Sequence, residues 1–293
     1  MLQRDPGHRQ EQLRDFVSCI PKSSFMKKTV RTFAALFMLA LMVLFPGCGE
    51  DNSINLFTVQ DDIALGQQAD DQIRSDPAAF PILDSVQYAT AYQHLYRIRN
   101  TILASGQLNY ANTFGWRCTI IRNDTMVNAF CLPGGTMYFY TGIIKLLDNE
   151  AQFAGVMAHE MAHADRRHST DQLTIAYGLD LLLSIALGND PNAIAQIAAD
   201  LAAGLSSLAF SRQDEYEADE YAVKYLYPTE EDAASLGDFF TKLEGEPYPP
   251  TFLSTHPSPE DRLEKINEHF QALGGVHGQT FISRYNEFKS SLP

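Results

Sequence analysis

Basic residues are scarce in this 293-residue chain: 22 Lys and Arg stand against 36 Asp and Glu. Seven of those bases and only three of the acids fall in the first 47 residues, so the remainder carries a formal charge of −18. Such a body repels nucleic acid and anionic lipid, which excludes both as partners. Long apolar runs are scarce as well. The longest unbroken one, residues 33–45, is well short of the roughly 20 residues that a membrane-spanning helix needs. Internal repeats and low-complexity tracts are missing. Cysteine is rare: beyond residue 47 there are only Cys48, Cys118 and Cys131. With 45% hydrophobic residues, the chain is long enough for one large domain or two small ones.

The run at 33–45 follows Lys27, Lys28 and Arg31 and precedes Pro46-Gly47-Cys48, the layout of a secretory leader. Met26 reads as the start and residues 1–25 as an upstream extension. Residues 26–48 resemble a bacterial lipoprotein signal, which makes Cys48 the lipidated N-terminus of the exported protein. The alternatives are an ordinary cleaved leader and an uncleaved anchor. Gly49 after the Cys is similar to lipoproteins sorted to an outer membrane. Residues 49–60 read as a tether and residues 61–285 as one domain.

Helical spacing is expected over 61–74 and 84–103. Three short strands follow, at 116–122, 126–132 and 136–140, punctuated by Asn123-Asp124 and Pro133-Gly134-Gly135. They imply a small antiparallel sheet. Residues 141–148 form a short helix, and a longer one begins at Asn149, an N-cap with Gln152 at the capping-box position. Two apolar runs, 173–187 and 193–210, pose a choice between a membrane hairpin and buried or lid-forming helices. Asp180 and Asp200 interrupt them, which favours the second. Residues 245–258 read as a loop, and Ser258-Pro259 as the start of a last helix that Gly274-Gly275 ends. The class is α+β, mainly α-helical.

The helix from Asn149 carries His159-Glu160-Met161-Ala162-His163. Two imidazoles at i and i+4 share a helix face and can bind one zinc ion from one side. Glu160 lies about 100° round the helix from His159, near enough to take a proton from a water at that metal and pass it to a leaving amine. Chance also produces H-E-x-x-H, but the independent cap and the apolar stripe Phe153, Val156, Met157 supply the helix that the chemistry needs.

Catalytic zinc takes three protein ligands and a water. The His route, H-E-x-x-H-x-x-G-x-x-H, fails here, because Arg166 and Ser169 occupy the Gly and third His positions. A Glu from a later helix is the other route, and Glu215 with Asp219 one turn on is the best candidate, with Glu217 as rival. The set Asn128-Ala129-Phe130, Pro133-Gly134-Gly135, Thr141-Gly142, His159 to His163 with Arg167-His168, Glu215-x-Glu217-Ala218-Asp219 and His256-Pro257-Ser258 resembles the HtpX-like and CAAX-prenyl-protease family of gluzincin metallopeptidases. Its periplasmic, soluble BepA/LoiP-like branch is the most similar.

The resemblance implies a zincin-like metallopeptidase domain with the small sheet beside the active-site helix. It implies His159, His163 and Glu215 as ligands of one Zn2+, Glu160 as general base, Asp219 behind a ligand, and His256 as a regulatory fourth ligand. Asn128, Ala129 and Phe130 correspond to the family's substrate-binding strand, on which a polypeptide adds as a further strand. His168 and Arg262 read as structural residues. Cys118 and Cys131, on adjacent expected strands, suggest a disulfide, with two buried thiols as the alternative. The function expected is a zinc endopeptidase for misfolded or misassembled envelope proteins. Its partners are polypeptide substrates and the envelope assembly machinery, and it meets the membrane only through its lipid anchor. The alternative is a chaperone-like or scaffolding lipoprotein with a latched or inactive zinc site. An embedded prenyl-protein protease is disfavoured by the shortage of spanning segments.

Overall fold

A computed structural model describes residues 55–186, 192–204, 209–244, 251–257 and 261–293. The extension, the leader, Cys48 and residues 49–54 of the expected tether lie outside the described residues, as do Ser258 and Pro259. Residues 55–58 do not behave as tether. Asn55 donates to Thr170 Oγ1 (2.8 Å), Phe57 is buried, and Thr58 caps the first helix.

That helix, α1 (Val59–Ser75), has a full capping box between Thr58 and Asp61. α2 (Ala89–Leu103) begins later than expected, because Asp84 instead closes a turn on the N–H groups of Val86 and Gln87. Then come β1 (Cys118–Ile121), β2 (Ala129–Leu132) and β3 (Thr136–Tyr140). Among the described residues they make one sheet, ordered β1-β3-β2. β2 and β3 form the expected antiparallel hairpin, with Ala129 opposite Phe139 and Leu132 opposite Thr136. Gly134 and Gly135 turn it at φ 75° and 87°, where side chains other than glycine's are strained. Gly66 of α1 approaches this turn so closely that a Cβ would stand 1.8 Å from the Pro133 carbonyl oxygen.

The expected pairing of β1 with β2 does not occur. β1 runs parallel to β3 on its other side, Cys118 opposite Met137 and Ile121 opposite Tyr140. Asn123-Asp124 lacks the glycine of a tight two-residue hairpin. Asn123 instead accepts from the Thr125 N–H (3.2 Å), and Asp124 accepts from Thr141 Oγ1 (2.6 Å), so the chain crosses to the far edge. The sheet is therefore mixed.

Helices complete the domain: α3 (Thr141–Leu146), α4 (Glu150–Asp165), α5 (His168–Ala186), α6 (Ala193–Gly204), α7 (Arg212–Leu226), α8 (Ser235–Glu244), α9 (Thr251–Thr255), α10 (Arg262–Ala272) and α11 (Ile282–Ser290). α4 is the axis: every one of its residues is buried. It packs against α7, α8, β2 and α2. Asn149 caps it as expected, accepting from the Gln152 N–H at 3.0 Å. The Gln152 side chain accepts from Asp148 N rather than from the cap residue (2.9 Å), so the capping box is displaced by one position. The apolar runs became α5, kinked at Gly178, and α6, whose Ile197, Ala198 and Leu201 pack with Leu65, Ala69 and Ile73 of α1. No helix among the described residues is long and apolar enough to cross a membrane. α9 lies inside the expected loop. α11 was not anticipated; it buries Tyr285 and Phe288.

The disulfide is overturned by the pairing. Cys118 and Cys131 both stand opposite Met137, one from each side. They are two strand spacings apart, roughly 9.5 Å, beyond the ~7 Å Cα limit for a bridge. Both are free and buried, and burial pushes the Cys118 thiol up to about 12.

Candidate active site

α4 sets His159, Glu160 and His163 in the interior, all fully buried. α7 starts on a capping box, Ser211 with Asp214, which sets Glu215 in the first turn and Asp219 one turn on. The two helices face each other across this pair of motifs. His159 Nε2 lies 3.0 Å from His163 Nε2. The Glu215 carboxylate is 3.5 Å from His159 Nε2 and 3.6 Å from His163 Nε2. His256, following α9, enters the same space: its Nδ1 is 3.1 Å from Glu215 Oε1 and 3.3 Å from His159 Nε2. Its Nε2 is 3.4 Å from Glu160 Oε1.

Each group is held from behind. His159 Nδ1–H donates to Asp219 Oδ1 at 2.9 Å, which leaves the Nε2 lone pair facing the centre. Asp219 is in turn clamped by Arg262 of α10, through Nε to Oδ2 (2.6 Å) and Nη2 to Oδ1 (2.8 Å). The same Nη2 is 2.9 Å from Glu215 Oε2, and the guanidinium lies 3.7 Å over the Phe240 ring. Arg262 is thus a buried clamp across both acids, a larger part than a structural charge on the last helix. Phe210 stacks on His163 at 3.9 Å and Phe252 on His256 at 4.3 Å. Glu217, the rival third ligand, points elsewhere: it binds Arg166 (2.6 Å) and His168 (3.3 Å).

Burial and these partners set the charges. Burial is the largest single influence on His159 and lowers its pKa, yet Asp219 and Glu215 together carry it up to about 9, so a metal binding at Nε2 would displace a proton to reach that lone pair. Burial holds His163 well below the usual imidazole range. Glu215 stays well below the usual carboxylate range despite burial, because His256, His159 and Arg262 surround it. Burial raises Glu160, and its Oε1 accepts no hydrogen bond from any described group. The outer edge of β2 contributes one contact, the Cys131 backbone N–H, which favours the Glu160 carboxylate.

These residues fit a divalent metal. Ligand atoms of His159, His163, Glu215 and His256 all lie within 4.8 Å of one another. A tetrahedral zinc with bonds near 2.0–2.1 Å separates its ligand atoms by about 3.3 Å, and the spacings here straddle that value. Imidazole and carboxylate donors are also the set that suits zinc.

β2 is an edge strand, as expected. Tyr140 N–H donates to Asn128 O, so Asn128, Phe130 and Leu132 bond towards β3, while Ala129 and Cys131 turn their backbone groups outwards. α9 covers the start of that edge: Phe252 N–H donates to the Val127 carbonyl (2.9 Å) and Phe210 N–H to the Thr255 carbonyl (3.1 Å). A cavity of about 30 Å³ remains between Phe130, Cys131, Phe210, Thr255 and His256.

A helix carrying two imidazoles and an acid, faced by a carboxylate from a second helix beside a strand edge, is the architecture of a zincin-type metalloendopeptidase. Residues 92–269 match the family described as Peptidase family M48, and the chain belongs to that family. A putative beta-barrel assembly-enhancing protease of Vibrio cholerae is 32% identical over 210 residues, which cover 62% of this chain and 43% of that protein. The beta-barrel assembly-enhancing protease of Escherichia coli K12 is 34% identical over 157 residues, 49% of this chain and 32% of the relative. The mitochondrial metalloendopeptidase OMA1 of Schizosaccharomyces pombe is 32% identical over 165 residues, 52% and 46% of the two chains. The matched parts make up less than half the length of each of these relatives.

Proposed function

We propose that the chain is a zinc-dependent endopeptidase acting on misfolded or misassembled envelope proteins, with His159, His163 and Glu215 holding one Zn2+ and Glu160 as general base. The observation that carries this is the convergence of His159 Nε2, His163 Nε2 and the Glu215 carboxylate at 3.0–3.6 Å. Zinc bound there supplies a Lewis acid for the scissile carbonyl and acidifies a water. Glu160, with its pKa raised by burial and Oε1 free of hydrogen bonds, takes the proton from that water and returns it to the leaving amine. Asp219 keeps His159 in the tautomer that faces the metal. A substrate segment adds along the outer edge of β2 at Asn128, Ala129 and Phe130, where Ala129 turns its main-chain groups outwards, a mode of binding that demands little of its sequence. The beta-barrel assembly-enhancing relatives support an envelope setting. Cys48 is the lipid anchor on the periplasmic side of the outer membrane, and the envelope assembly machinery is the partner class.

His256 supports a second layer, a latch. It reaches the same centre and α9 covers the start of the substrate edge, so a latched resting state accommodates the chaperone-like alternative in the same molecule. Metal analysis with a casein-cleavage assay, with and without chelator, tests the first reading. One zinc per chain and chelator-sensitive cleavage are expected; cleavage indifferent to the chelator overturns it. His256→Ala is expected to raise cleavage, and unchanged or lower cleavage removes the latch.

A further inference from the structure

We propose that His168 is a positioning residue, the middle of a chain Glu217–His168–His163 that fixes which nitrogen of His163 faces the metal. It deepens the metal reading above and rests on it.

His168 reaches this place through an unusual turn. Between α4 and α5, Arg167 adopts φ 65°, a left-handed conformation that disfavours side chains other than glycine's. Arg167 is fastened there by Asp62 (Nε to Oδ2, 2.5 Å) and by the Phe57 carbonyl (Nη2, 2.6 Å), both from the start of the domain. The reversal folds His168 back onto His163, with ring centroids 5.0 Å apart and planes at 78°. His168 Nδ1 and His163 Nδ1 are 3.0 Å apart, and both rings are buried.

Two nitrogens at that distance need one proton between them. The far side of His168 decides where it sits. Its Nε2 faces Glu217 Oε2 at 3.3 Å, and the Glu217 carboxylate, pinned through Oε1 by Arg166 Nε at 2.6 Å, accepts only. His168 therefore carries its hydrogen on Nε2 and offers the Nδ1 lone pair. His163 Nδ1–H donates into it, so the His163 Nε2 lone pair faces His159, Glu215 and His256. Phe210, stacked 3.9 Å from His163 at 24°, holds the ring plane. Outer partners of this kind set ligand orientation and metal affinity. His159 has a carboxylate as its direct partner; His163 has one only through an interposed imidazole.

Zinc affinity of the full chain, by competition with a chelating indicator, and the visible spectrum of the Co2+-substituted protein test the chain apart from turnover. His168→Ala is expected to weaken zinc about 10- to 100-fold and to change the cobalt bands. His168→Gln is expected to recover most of the affinity, because its amide oxygen accepts from His163 while its N–H donates to Glu217. Glu217→Leu is expected to shift both readouts the same way as His168→Ala, by less. If His168→Ala does not fold, Glu217→Leu decides by the same readouts. Wild-type affinity and cobalt bands in His168→Ala or Glu217→Leu overturn the proposal, as does a His168→Gln variant as weak as His168→Ala. His163→Ala separates the two readings. Strong zinc loss there with none in His168→Ala sinks only this inference, whereas wild-type zinc binding in His163→Ala sinks the metal centre itself.

Discussion

The two ends of helix α4 bury the same kinds of groups and settle them in opposite ways. At the metal-facing end, Glu215 and Asp219 share Arg262, a side chain only 1% exposed, and two imidazoles add further donors. Glu215 is held well below the usual range there. At the N-terminal end, Glu150 lies beside Glu231, and the arginines serving them, Arg97 and Arg284, have side chains 33% and 31% exposed. Arg97 makes two short contacts to Glu150, of 2.5 and 2.6 Å, and none to Glu231. Arg284 binds Glu150 and reaches Glu231 only at 3.2 Å. Glu150 is therefore pulled down by the arginines against its burial. Glu231, desolvated and facing the Glu150 charge, is pushed up to about 8. A buried acid keeps its charge where donors are in surplus and keeps its proton where they are not.

The largest expected effect lies at the metal end. Glu160→Gln should lower peptide cleavage by about 10²–10⁴-fold while the protein retains its metal, measured by cleavage rate and metal content together. Equal activity in that variant would break the account of Glu160 as base. Next comes the clamp. Arg262→Leu leaves two buried acids short of a cation and should cost about 3–5 kcal/mol in denaturant unfolding. Arg284→Leu should cost clearly less, because Arg97 and water still serve Glu150; equal losses would erase the contrast between the ends. The smallest effect is a slope. The folded chain keeps the Glu231 proton up to about pH 8, whereas the unfolded chain releases it near 4.5. The folded state binds the extra proton across that window, so this group's contribution to stability falls as pH rises through it. Thermal unfolding of Glu231→Gln against pH should lose that decline, and an unchanged slope would place the proton elsewhere.

Much of this was legible in residue order. Asn149 announced the start of α4, Thr136 to Tyr140 marked β3 to the residue, and the acid pair Glu215 and Asp219 required a helix, which α7 supplies. Other features were not legible because their causes lie across space. β1 joined the far side of β3, since Asn123 and Asp124 closed bonds to Thr125 and Thr141 rather than a hairpin. That choice also separated Cys118 from Cys131. His168 read as a helix-end packing residue and Arg262 as a structural charge until the turn at Arg167 and the approach of α10 carried them to the site.

Helix periodicity is local, so residue order alone determined that His159 and His163 share one face, that Glu160 stands beside them, and that Glu215 and Asp219 lie one turn apart. Only the tertiary structure decided which acid meets the imidazoles, which cation holds that acid, and that His256 enters from the far side. Those contacts join positions tens of residues apart, and each depends on what burial leaves it for a partner.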